Sequence, residues 1–125
     1  MNTIDTTELS LDDAIRVIDT TFKVAKLNTK VLGGAVLIEV KSPKIHYDGL
    51  LQTLGVFDET RRPIFYVKQN ILYIPSIKFR IIVKHSIGVT VEKDCVLIFV
   101  RGDSRPLYDV SELKEALDSL TRESE

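Results

Sequence analysis

The sequence predicts an α+β domain rich in antiparallel sheet, built from two pseudo-symmetric, strand-rich repeats that each end in a helix. Two observations predict the repeats. Short runs return in the same order: Ile15-Arg16-Val17-Ile18 as Ile71-Leu72-Tyr73-Ile74, Phe22-Lys23-Val24 as Phe79-Arg80-Ile81, and Val36-Leu37-Ile38-Glu39-Val40 as Val96-Leu97-Ile98-Phe99-Val100. A Tyr-Asp pair then follows each valine-rich copy, at Tyr47-Asp48 and Tyr108-Asp109, with an apolar, helix-like run behind it. The third observation is strand periodicity: Ile77, Phe79, Ile81 and Val83 alternate with Lys78, Arg80, Ile82 and Lys84. A chain of 125 residues makes one domain, 1–125, with repeat units over about 7–57 and 63–120 and a short, disordered acidic tail.

In the first unit, residues 8–11 and 14–18 read as strands around an Asp12-Asp13 turn, because their counterparts in the second unit are strand-like. Helix is the rival reading. Ser10 suits an N-cap, and Leu11, Ala14, Ile15, Ile18 and Phe22 share a helical face. Residues 22–27 read as the next strand. Gly33-Gly34 marks a tight hairpin, since such turns need positive φ. Residues 36–41 are apolar on both faces except at Glu39, which predicts a central strand. Asp48 is placed to cap a short helix over 49–57, with Leu50, Leu51 and Leu54 turned inward.

In the second unit, 64–68 and 71–74 are strand-like by composition, 77–84 by alternation. Residues 89–92 and 95–101 form a hairpin around Lys93-Asp94. Asp109 is an N-cap with Glu112 at the third helical position. Val110, Leu113, Leu117 and Leu120 make the buried stripe of a terminal helix.

Composition narrows the function classes. The single cysteine, Cys95, rules out an intramolecular disulfide and a cysteine-based zinc site, and reads as a small buried hydrophobe. No apolar run approaches the ~18–20 residues of a membrane span, so no membrane partner is expected. The acidic, polar N-terminus is unlike a signal peptide, and the protein reads as intracellular, or as a viral protein made inside the host cell. Scarce glutamine and asparagine beside plentiful lysine, isoleucine and valine suit a thermophile.

Charge is unevenly distributed. Residues 61–91 contain no Asp or Glu but carry Arg61, Arg62, Lys68, Lys78, Arg80 and Lys84, whereas both ends of the chain are net acidic. Lys78, Arg80 and Lys84 fall on one face of a strand, and Tyr66 and Tyr73 lie nearby in sequence. Cations interleaved with aromatics are what a sheet needs to hold phosphates and stack bases. The bland alternative is a solvated outer face whose lysines discourage edge-to-edge aggregation.

Other motifs are weaker. Glu39-Val40-Lys41 resembles the E-x-K half-motif of PD-(D/E)XK nucleases, where the resemblance implies a carboxylate on Mg²⁺ and a lysine on the attacking water; Asp19 is the only candidate for the upstream acid. His85-Ser86 and His46-Tyr47-Asp48 read as loop residues, since nothing marks a convergent base, nucleophile and orienter. Arg101-Gly102-Asp103 reads as a strand exit, and Gly33-Gly34 lacks a phosphate-loop context.

The expectation is therefore a non-enzymatic nucleic-acid-binding or accessory module. It uses Arg61, Arg62, Tyr66, Lys68, Tyr73, Lys78, Arg80 and Lys84, with no metal or other cofactor; the partner is nucleic acid or an acidic protein surface. The first alternative is an assembly subunit that pairs with a partner or with itself as a homo-oligomer through its sheet. The second is a metal-dependent nuclease using Asp19, Glu39 and Lys41.

Overall fold

The segment over which strand and helix compete folds as a helix. In the computed structural model, which describes residues 2–101, α1 runs over Leu11–Val24. Ser10 caps it: its hydroxyl accepts from the amide of Asp13 at 3.2 Å, Asp12 and Asp13 sit in the first turn, and Lys23 sits in the last. Ala14, Ile15, Ile18 and Phe22 form the buried stripe. This overturns the strand assignments at 8–18 and 22–27. Local periodicity and the cap prevail over the supposed homology with 71–81.

Ahead of the helix lies β1 (Asn2–Asp5). Behind it come β2 (Thr29–Leu32), β3 (Ala35–Glu39), β4 (Lys44–Asp48), β5 (Thr53–Phe57), β6 (Pro63–Lys68), β7 (Ile71–Ile74), β8 (Phe79–Ile82), β9 (Ser86–Glu92) and β10 (Cys95–Arg101). One sheet has six strands in the order β1-β8-β7-β6-β5-β4; it is an antiparallel meander except that β1 runs parallel to β8. The other has four, in the order β2-β3-β10-β9, all antiparallel.

Turn chemistry accounts for the short connections. Gly33, at φ 59°, turns β2 into β3, and Asp94, at φ 56°, turns β9 into β10. The main core joins α1 to both sheets. It gathers Ile15, Ile18 and Phe22 with Val36, Ile38, Val96 and Ile98 of the four-stranded sheet, and with Val56, Phe65, Leu72, Ile74 and Ile81 of the six-stranded one. Phe22 meets Phe65 edge to face, ring centroids 5.5 Å apart. A second cluster, Ala35, Leu37, Cys95, Leu97 and Phe99, occupies the other face of β3 and β10. Both strands are thus buried on both faces, which is why both read as unbroken apolar runs.

The two-repeat architecture is contradicted. Ile15–Ile18 and Phe22–Val24 are helical, but their supposed counterparts are β7 and β8. Tyr47-Asp48 ends β4 and leads into a turn and β5, not a helix. The valine-rich copies are neighbours in one sheet, paired antiparallel with Leu37 opposite Leu97. They are alike because they share one doubly buried environment. The terminal helix read from Asp109, Val110, Leu113, Leu117 and Leu120, the Tyr108-Asp109 pair and the Gly102-Asp103 exit lie outside the described residues.

Candidate nucleic-acid interface

Antiparallel register fixes which side chains share a face. In the six-stranded sheet, Thr3, Arg80, Tyr73, Tyr66, Gly55 and His46 are successive cross-strand partners, one from each strand. The neighbouring row on that face is Asp5, Ile82, Ile71, Lys68, Thr53 and Asp48. Of the residues between them, Ile81, Leu72 and Val67 point the other way into the core, and Leu54 packs against it. The face away from the core therefore carries two tyrosines side by side, a cation on each row and half-buried Ile71 and Ile82. Five inter-strand spacings of about 4.8 Å make each row about 24 Å wide.

Gly55 shapes this face. A β-carbon there would lie 2.9 Å from both the Phe57 and Tyr66 rings, so the missing side chain lets those rings pack across β5. They meet edge to face at 6.0 Å and 89°. The patch is thus Phe57, Tyr66 and Tyr73, with Arg80 and Lys68 beside them.

The other predicted cations stand at the ends of the strands. Arg61 and Arg62 lie in the β5–β6 turn and Lys78 in the β7–β8 turn, at one end of the meander; Arg61 and Lys78 have left-handed φ values of 66° and 54°. The first turn is organised by Asp58, whose carboxylate accepts from the Thr60 hydroxyl at 2.6 Å and from the amides of Thr60 and Arg62. The Thr60 hydroxyl bond above all holds the Asp58 carboxyl below its ordinary range. Lys84 lies past the other end of β8, lining a cleft with His85, Leu9, Leu11 and Val100. The strand face expected for Lys78, Arg80 and Lys84 is therefore not one face: β8 is four residues long and only Arg80 lies within it. Cations instead lie beyond the two ends of the strands, on either side of the aromatic row. Acids bound the face at its lateral edges, where the Thr7 hydroxyl holds the Asp5 carboxyl below its ordinary range.

The nuclease constellation does not converge. Asp19 is buried on α1, where its carboxylate accepts from the Thr29 hydroxyl at 2.6 Å and pairs with Lys23 at 2.9 Å. Thr29 pairs with Ile38, whose side chain is in the main core, so Asp19 lies on the core side of the four-stranded sheet. Glu39 follows Ile38 and takes the opposite side, beside Leu37 and opposite Cys95. Lys41 stands 3.8 Å from Glu59. Among the described residues no three His, Cys, Asp or Glu side chains group to hold a metal ion. Burial, with Glu92 and Asp94 adding to it, pushes the Cys95 thiol up to about 11, away from the nucleophilic thiolate.

Sequence reasoning missed His46, Gly55 and Phe57. All three lie in the β4–β5 hairpin, within or beside a stretch read as helix; the β-branched and aromatic residues of 53–57 were the available signal. Among the described residues no helix is long and apolar enough to cross a membrane. No protein-family model matches the chain, and no curated protein or solved structure matches it significantly.

Proposed function

We propose that this protein is a non-enzymatic binding module for single-stranded nucleic acid, using the outward face of the six-stranded sheet. One observation carries the reading: Tyr66, Tyr73 and Arg80 are consecutive cross-strand partners on the face away from the core. Bases stack on tyrosine rings whatever their identity, and adjacent rings accept successive bases. Lys68 and Arg80 lie within the patch, while Arg61, Arg62 and Lys78 stand beyond one end of the strands and Lys84 beyond the other, so cations flank the row on both sides. Single strands fit better than duplex, because an open sheet presents ring faces rather than an element that enters a groove.

The test is fluorescence anisotropy with labelled oligo-dT and oligo-U, and with a duplex as competitor. Wild type should bind the single strands in preference to duplex. Two cations at about −0.7 each give a log–log salt slope of about −1.4, steeper if end cations join. Tyr66→Ala with Tyr73→Ala should weaken binding about 5- to 150-fold per ring, from 1–3 kcal/mol of stacking each, in a protein that stays folded. Binding untouched by the double substitution, or insensitive to salt, rejects the proposal.

A further inference from the structure

We propose that β4 is the docking edge for a second copy of this chain, and that two copies pair antiparallel about His46 into one continuous twelve-stranded sheet. β4 ends the six-stranded sheet and pairs on one side only, with β5. Natural sheets usually blunt such an edge with charge, proline or a cover. Here charge stands only at the two ends of the strand, no described strand pairs with its outer side, and apolar side chains are exposed between the charges: Ile45 is 43% exposed and Tyr47 58%, and the turn behind them adds Leu50 at 98% and Leu51 at 61%. These are four of the eight large apolar side chains exposed among the described residues, gathered within seven positions.

The strand is complementary to itself. Its sequence is Lys44-Ile45-His46-Tyr47-Asp48. Antiparallel pairing about His46 sets Lys44 opposite Asp48 of the second copy, Asp48 opposite Lys44, and Ile45 opposite Tyr47 on both sides of the axis. Opposite charges then meet on one face and apolar side chains on the other, the cross-strand pairs that stabilise a ladder. A slip of one residue would set Lys44 against Tyr47 and lose both matches. Charge complementarity therefore selects both the occupant, a second copy, and the register. The row from Thr3 to His46 would continue into its symmetry mate, doubling the outward face, but the pairing does not depend on what that face binds.

The experiment uses the full chain without nucleic acid. Sedimentation equilibrium should show a species of twice the 14.1 kDa chain mass, appearing by about 200 μM because a single strand pair is a small interface. Lys44→Asp places like charges opposite each other twice and should weaken dimerisation about tenfold. His46→Cys gives the register test. The one native cysteine is buried, and paired positions lie about 4.5–5.5 Å apart, within disulfide reach, so mild oxidation should give a covalent dimer. Lys44→Cys should not cross-link, because four residues of offset put the two sulfurs about 14 Å apart. A wild type that stays monomeric through that range overturns the proposal. So does a dimer indifferent to Lys44→Asp, or one that cross-links no faster at 46 than at 44.

Discussion

Asp19 shows how much one side chain's duty depends on its partners. Its carboxylate ties the helix to the first strand of the four-stranded sheet through the Thr29 hydroxyl, and both groups are buried. Asp19→Ala should cost about 1 kcal/mol, because the buried Thr29 hydroxyl loses its 2.6 Å acceptor and keeps only the Asp19 backbone carbonyl at 3.5 Å. Adding Thr29→Val should recover part of that loss, because removing both polar partners leaves nothing unsatisfied; paired urea melts check both. The Lys23 contact, with its ammonium half in water, should add little. The sequence held a local signal only for that lesser contact: Asp19 and Lys23 are four apart, the spacing of a helical ion pair. The nuclease reading needed Asp19 and Glu39 on one side of a sheet. Strand pairing decides that, and a chain does not declare its pairings residue by residue.

At the scale of elements, turns were the most legible features. Gly33-Gly34 and Lys93-Asp94 sit between apolar runs, and each supplies the positive φ that a two-residue connection requires. The β4–β5 hairpin was illegible because Leu50, Leu51 and Leu54 imitate a helical stripe. In the molecule the Asp48 carboxylate accepts from the amides of both Leu50 and Leu51, and Gln52 takes a φ of 53°. That closes a turn and leaves the two leucines in solvent. Gly55 shows what the hairpin builds. Gly55→Ala would drive a methyl group into the Phe57 and Tyr66 rings, each only 2.9 Å from its β-carbon. Both rings must then leave their edge-to-face contact. We expect a changed near-ultraviolet dichroism spectrum and oligonucleotide binding weakened about as much as by losing one stacking ring, about 1–3 kcal/mol. Fluorescence anisotropy beside the dichroism spectrum checks this.

At the scale of the whole molecule, composition and alternation disclosed the strand-rich class but not the assembly. The pairings that define it join distant segments: β1 with β8, and β3 with β10. Similar sequence in β3 and β10 looked like duplication, yet it reflects two adjacent strands that are each apolar on both faces. Likewise, six cations in an acid-free stretch over 61–91 disclosed a basic centre, but only the meander brings Tyr66, Tyr73 and Arg80 into line while sending Arg61, Arg62, Lys78 and Lys84 to the strand ends. On the proposed function, this line of residues binds a single strand. The most direct measurement is an amide and tyrosine-ring chemical-shift titration of the isotope-labelled protein with a short single-stranded oligonucleotide. The largest shifts should fall at Tyr66, Tyr73, Phe57, Lys68 and Arg80, with the core positions Val67, Leu72 and Ile81 moving least; shifts confined to the Lys84–His85 cleft or to α1, or none at all, would overturn the proposed interface.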